Sequence, residues 1–254
     1  MWCSMSAQLI SLFENIKTGD INSVRKIIFA NPELIDSVRE DDYYEDTPLT
    51  FAANHDDKNI VDILLKRGAN INKVNGYGFN AYFSAVNEQN LDLAFHILQN
   101  EKLDLAHETF SKSDALGHLL RKIQHFYNEE TLPKKINIHS LFKLIDSLFD
   151  KGFDINKPQL DSKDTPILIC AGAQSWALVA YLISKGADYT AKNNYKYDIW
   201  THFCGNKYLT PKAKYDVLSV LDATTKQSGE KYGKLKKPEN LYVDIFGNLF
   251  DPSI

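Results

Sequence analysis

Asp46-Thr47-Pro48-Leu49-Thr50-Phe51-Ala52-Ala53, followed after a polar turn by Ile60-Val61-Asp62-Ile63-Leu64-Leu65-Lys66-Arg67-Gly68-Ala69-Asn70-Ile71-Asn72, is the stretch that decides the fold. Thr47 is placed to cap a helix that opens on Pro48, where the missing proline N–H costs nothing because that position lacks an intrahelical partner. Leu49, Ala52 and Ala53 give this helix a small apolar face. Ile60, Val61, Leu64 and Leu65 form the stripe of a second helix that lies close against it. Gly68 ends the second helix in a left-handed cap. The pattern predicts one unit of helix, turn, helix and capping turn.

The unit returns later in the chain. Asp164-Thr165-Pro166-Ile167-Leu168-Ile169-Cys170-Ala171 leads to Leu178-Val179-Ala180-Tyr181-Leu182-Ile183-Ser184-Lys185-Gly186-Ala187-Asp188, and Thr165 precedes Gly186 by 21 positions, as Thr47 precedes Gly68. The order TPLxxAA, IVxxLL, GAxxN resembles the ankyrin repeat, with its period of about 33 and its T-P-L-H-x-A signature. The resemblance implies an all-α ankyrin repeat solenoid of about six helix-pair units, with hairpin fingers and a C-terminal tail. In the family the lead-in to each unit reads D-x-x-G-x-T. Glu45 stands here in the glycine position, so a locally altered finger is expected.

The other units are read from this register. Leu9, Ile10, Leu12, Phe13 and Ile16 predict a helix over 7–17, and Ile21, Val24, Ile27 and Ile28 a second one after Thr18-Gly19-Asp20; this first unit lacks TPL, as terminal repeats facing water often do. Adding 33 to Thr47 gives Asn80, where Gly76-Tyr77-Gly78-Phe79-Asn80-Ala81 matches finger and helix start. Gly152 lies 84 positions after Gly68 where two periods would give 66, so the fourth unit, around 112–156, holds 18 extra residues, expected between Tyr127 and Ile138. Whether they form a binding edge or a longer helix pair stays open. Asp198 starts a last helix through Trp200, Phe203 and Cys204, and Tyr215, Val217, Leu218 and Leu221 close the array. The repeat domain is thus expected over 1–222. Residues 223–254 read as a basic linker and a hairpin-like tail, favoured as a cover for the open end over an interaction motif.

Composition bounds the function. The 254 residues are 44% hydrophobic and 24% charged with a net charge of −4, ordinary for a soluble globular protein and unsuited to holding phosphate backbones, so nucleic acid is not an expected partner. No apolar run is long enough for membrane insertion, and the start lacks a basic segment before a hydrophobic one; a cytoplasmic monomer is expected. Cys3, Cys170 and Cys204 match no disulfide or zinc spacing. The GxGxxA at Gly76–Ala81 has no apolar strand before it, so it reads as repeat register and not as a dinucleotide fingerprint. Cys204 and His202 point apart on one helix, the pairs Asp56-Asp57 and Glu129-Glu130 lack partners at motif spacing, and the seven histidines show no ligand arrangement. No enzyme activity and no cofactor or metal are expected.

In the family, finger tips and the exposed side of each first helix line a concave groove that grips other proteins. Carried over residue by residue, the finger positions are Tyr43, Tyr44 and Asp46; Tyr77 and Phe79; Asp161, Ser162 and Asp164; and Asn194, Tyr195 and Tyr197. The groove floor falls on Asn54, His55, Asn87 and Glu88. Tyrosine and phenylalanine at solvent-facing tips fit protein recognition, since such rings bury much area with few torsions to freeze; the opposing reading has them stacking to stiffen the array. The expected function is non-catalytic binding of a partner protein. Abundant Lys, Asn, Ile, Tyr and Phe add an analogy with effectors that intracellular bacteria inject into host cytoplasm. Two alternatives stand beside it: an enzyme site in the expanded unit or the tail, and an aromatic cage for methylated lysine.

Overall fold

The computed structural model describes residues 7–39, 44–127, 138–159, 161–173, 175–199 and 201–202. Cys3, Tyr43, Glu129 and Glu130, Leu160, Trp200, Cys204, the closing helix and the tail lie outside them. The described helices are α1 Ala7–Thr18, α2 Ile21–Ala30, α3 Pro48–Asn54, α4 Lys58–Lys66, α5 Ala81–Asn87, α6 Leu91–Leu98, α7 Ala115–Tyr127, α8 Ile138–Asp150, α9 Pro166–Gly172 and α10 Trp176–Ser184, with a 3-10 turn over Pro32–Asp36. The sequence reading missed that turn, which buries Leu34. Among the described residues no helix is long and apolar enough to cross a membrane. The chain divides into two compact units, one of residues 1–122 and 133–151, the other of 123–132 and 152–254.

Both units use the same local chemistry. In α3, Thr47 Oγ1 accepts from the Thr50 N–H at 3.1 Å while Thr50 Oγ1 accepts from the Thr47 N–H at 2.9 Å, a reciprocal capping box. Asn80 caps α5 by accepting from the Tyr82 and Phe83 N–H groups, and Asp114 caps α7 by accepting from the Gly117 N–H at 2.9 Å. Thr165 holds a cap's extended backbone, but its Oγ1 has no partner among the described residues. Leu168 stands where Thr50 closes the box, and its N–H turns to the Thr165 carbonyl. Behind the caps, Leu49, Tyr82, Leu116 and Ile167 are buried in register, as are Ala52, Ala85, Leu119 and Cys170. Burial pushes the Cys170 thiol well above its ordinary pKa, so it behaves as a small core hydrophobe.

The expansion of the fourth unit is shared between helices and connection. It is not confined to the span from Tyr127 to Ile138: α7 and α8 are 13 residues each, six more than α3 and four more than α4. Their apolar stripes simply run on, and Leu141, Leu144, Ile145 and Leu148 of α8 are all buried.

The fingers are turns without strands among the described residues, apart from one isolated bridge between Gln159 and Asp164. In the first unit Asn75 Oδ1 accepts from the Tyr77 and Phe79 N–H groups at 3.0 and 3.1 Å, while Asn75 Nδ2 donates to Asp46 Oδ1 at 2.9 Å. In the second unit Asn193 does the same with Tyr195, Tyr197 and Asp164. A second ladder runs along the opposite turns: Asp36 accepts from the Asn70 N–H, Asn72 from that of Asp104, and Asn156 from that of Asp188. Each bond joins one repeat to the next and satisfies a backbone group that no helix can reach.

Two positions before each cap the backbone turns left-handed. Glu45, Gly78, Lys112, Lys163 and Lys196 have φ of 47, 75, 55, 56 and 66°. Glu45 therefore follows the family's glycine conformation and bears the strain of a Cβ there, which costs about 1–2 kcal/mol.

Two outcomes are expected in urea unfolding. Lys163→Gly relieves the left-handed Cβ and stabilises by about 0.5–1 kcal/mol after the glycine entropy is subtracted. Asn75→Ala removes a donor from Asp46, which is 2% exposed, and strands two turn N–H groups; it costs about 2 kcal/mol or more, and Asn193→Ala less, because Asp164 is half-buried and water can replace the lost donor.

Candidate functional site

Finger geometry in the first unit lines up rings. The Tyr44 ring centroid lies 5.3 Å from Tyr77, Tyr77 stacks on Phe79 at 5.9 Å, and Phe79 stacks on Phe83 of α5 at 6.2 Å. His118 of α7 meets the edges of Phe79 and Phe83 at 5.0 and 5.2 Å. Phe110, on the next finger, lies over Gly78, where an added Cβ would fall 2.8 Å from the ring. Tyr44 is 48% and Phe110 73% exposed, whereas Tyr77 and Phe79 are half-buried. The inner rings thus stack and stiffen, and the outer ones face solvent. The rings follow one another in series, Tyr44 to Tyr77 to Phe79 to Phe83, as a strip.

The other expected positions differ among themselves. Asp46 is no surface group: it accepts from Thr50 Oγ1 at 2.8 Å, Asn54 Nδ2 at 3.0 Å and Asn75 Nδ2, and burial withdraws it from a partner. Asn54 is half-buried by the same bond. His55, exposed at the end of α3, shares its Nδ1 with the Phe51 carbonyl, and Asn87 donates to the exposed Glu88 at 2.8 Å. In the second unit Tyr195 is 66% and Tyr197 48% exposed, with centroids 6.1 Å apart, above the half-buried Asp164. Asp198, the next cap, is held below the usual carboxylate range by the Thr201 N–H and hydroxyl, with Lys192 assisting. Gly76 sits in a finger turn, with its N–H on the Tyr44 carbonyl at 2.8 Å, and no described strand precedes it. Among the described residues no group of three or more His, Cys, Asp or Glu is placed to hold a metal.

The structure adds residues that the sequence reading passed over. Asn54 and His55 stand seven and eight positions after the cap Thr47, Asn87 and Glu88 seven and eight after Asn80, and Arg121 and Lys122 seven and eight after Asp114. The positions of α7 that correspond to those expected for the groove floor are two adjacent cations. Arg121 Nη1 donates to Ser111 Oγ and Ser113 Oγ, both at 3.2 Å. Burial pulls the Lys122 ammonium below the ordinary lysine value, Glu88 opposing and Arg121 assisting. Beside them His118 is 4% exposed, its Nε2 has no partner among the described residues, and burial with the fields of Lys122 and Arg121 holds its pKa at about 3.

Neutral in the fold and titrating at 6.5 when unfolded, His118 contributes stability that is full above pH 6.5 and lost as pH falls toward 3, because only the unfolded chain takes up the proton in that window. Between pH 7 and about pH 5 the loss from this group is on the order of 1–2 kcal/mol. His118→Phe should flatten the pH dependence of urea unfolding by that amount; an unchanged slope would contradict the assignment.

Comparison with known proteins agrees with this architecture. The family model described as "Ankyrin repeats (3 copies)" matches residues 12–107. No curated protein matches the chain. Among solved structures, EF0377, an ankyrin repeat protein, is 22% identical with a TM-score of 0.64, over 85% of this chain and 98% of that one. A chain from the complex of the Bd0816 predatory endopeptidase of Bdellovibrio bacteriovorus with immunity protein Bd3460 is 20% identical with a TM-score of 0.59, over 88% of this chain and all of that one. These likenesses speak to the fold, and ankyrin repeats are protein-interaction modules. With its capped helix pairs and left-handed finger turns the chain has the ankyrin repeat fold, and residues 12–107 match the ankyrin repeat family.

Proposed function

We propose that this protein is a non-catalytic recognition module that holds a partner protein across its fingers and first-helix faces. The observation that carries the reading is the exposure of Tyr44 and Phe110 on the fingers either side of the one that bears Tyr77, Tyr44 meeting Tyr77 and Phe110 lying over Gly78, with Phe79, Phe83 and His118 behind. Rings that only stiffened an array would be covered by it, whereas these leave an apolar strip in water, the usual mark of a contact surface. Tyr195 and Tyr197 repeat the device on the second unit. His55, Asn87 and Glu88 supply the polar floor in the first unit, with Arg121 and Lys122 added. Asp46 is left to the scaffold. The solved complex of an endopeptidase with an immunity protein, one chain of which shares this fold, supports a role in protein pairing. The Lys-, Asn-, Ile-, Tyr- and Phe-rich composition supports the finer reading of an effector whose partner is a host protein met in the cytoplasm.

The test is affinity capture from host-cell and bacterial extracts with wild type and with a Tyr44→Ala, Tyr77→Ala, Phe110→Ala variant whose far-UV CD matches wild type. Loss of two or three aromatic anchors should weaken capture of a specific partner by about tenfold or more. Equal recovery on the folded variant would remove the strip from the function.

A further inference from the structure

The cations of α7 are the least explained group in the molecule. Arg121 reaches only two hydroxyls, Ser111 Oγ and Ser113 Oγ, and no carboxylate meets it among the described residues. Lys122 is half-buried and forms no ion pair there either; Glu88 acts on it only through its field and gives its Oε1 to Asn87. The fields of both cations reach the buried, neutral His118, whose ring meets the edges of Phe79 and Phe83. Beside a buried, uncharged ring a charge acts more strongly than in open water, and Arg121 meets no carboxylate among the described residues. The guanidinium is already fixed by two hydroxyls, one of them on the fully buried Ser113, with donors left over. That is a preorganised fork, the form that recognises carboxylates. On either side of Ser111 and Ser113 the same stretch presents Phe110 to solvent and the Asp114 cap of α7.

We propose that Arg121 and Lys122, with Ser111 and Ser113, receive an acidic side chain of a peptide segment whose apolar neighbours lie on the Phe110, Tyr77 and Tyr44 strip. This deepens the protein-binding reading above and rests on it. The partner it implies is an acidic segment interspersed with large apolar residues. The row of floor positions sets the direction: Asn54 and His55, then Asn87 and Glu88, then Arg121 and Lys122. The carboxylate belongs at Arg121, whose remaining guanidinium donors meet no carboxylate among the described residues.

The experiment uses the full chain as bait for a display library of random short peptides. The selected peptides are then measured by fluorescence anisotropy against wild type, Arg121→Gln with Lys122→Gln, Arg121→Lys, and the Tyr44→Ala, Tyr77→Ala, Phe110→Ala variant. Selected peptides should carry Asp or Glu beside an apolar residue, and replacing those acids by amides should weaken binding about tenfold. Arg121→Gln with Lys122→Gln should do the same and remove most of the salt dependence, while Arg121→Lys, which keeps charge but loses the fork, should fall between. Far-UV CD and thermal melting check that each variant folds, and Arg121→Lys keeps the test open should the double variant not. Peptides that need the rings but ignore both the amide changes and salt would overturn the acidic partner and leave the groove reading standing. A selection yielding no ring-dependent binder would overturn both.

Discussion

A carboxylate buried like that of Asp46 is affordable only if donors surround it, since stripping water from an ion costs several kcal/mol before any partner is counted. Here the donors come from three directions: Thr50 one turn into α3, Asn54 at its end, and Asn75 from the following repeat. The Arg39 N–H, on the preceding segment, holds the Asp46 carbonyl at 2.9 Å. The helix start, the finger and the neighbouring unit are fixed by one group. Asp164 and Asn193 form the same joint in the second unit, so the finger tyrosines of both units ride on an equivalent mount.

The mount explains how short helices present large rings. α3, α5 and α9 have seven residues each, too few to be stable alone, and their order comes from caps and from the helix packed behind. Finger backbone is held by side chains: Asn75 binds the N–H groups of the two residues that carry the rings, Tyr77 and Phe79. Aromatic exposure is therefore combined with a stiff backbone, which lowers the ordering cost when a partner arrives.

The helix pairs were legible because their signals are local. Pro at a helix start, small residues on one face, Gly after the second helix and the spacing between Thr47 and Gly68 report conformations that the chain adopts for its own reasons. The first helix of the expanded unit was legible as apolar periodicity, but its cap was not, because a period of 33 from Asn80 falls on Ser113, one position before Asp114, and no proline marks the start. Without that cap the floor positions could not be carried forward, and Arg121 and Lys122 went unnoticed; counting 34 from Asn80 to an Asp before an apolar run would have found them. Asp46 was misplaced for the opposite reason. A finger aspartate looks like a surface group in one dimension, and only the arrival of Asn75 from 29 residues on closes water away from it. Phe110 has no motif, and its place over Gly78 is a matter of tertiary contact alone.

The Asp46–Asn75 and Asp164–Asn193 joints are directional, a carboxylate one position before a cap being met by an amide of the following finger, whereas Phe79, Ser113 and Tyr197 stand before the caps Asn80, Asp114 and Asp198. The repeats are therefore not interchangeable bricks: the finger that brings Asn75 carries Phe79 in the carboxylate position, so it receives a joint without passing one on. A repeat placed after Asp46 must bring an amide, and one that did not would leave a buried ion with no mate. The two joints thus fix the order of neighbours in the array as well as their spacing.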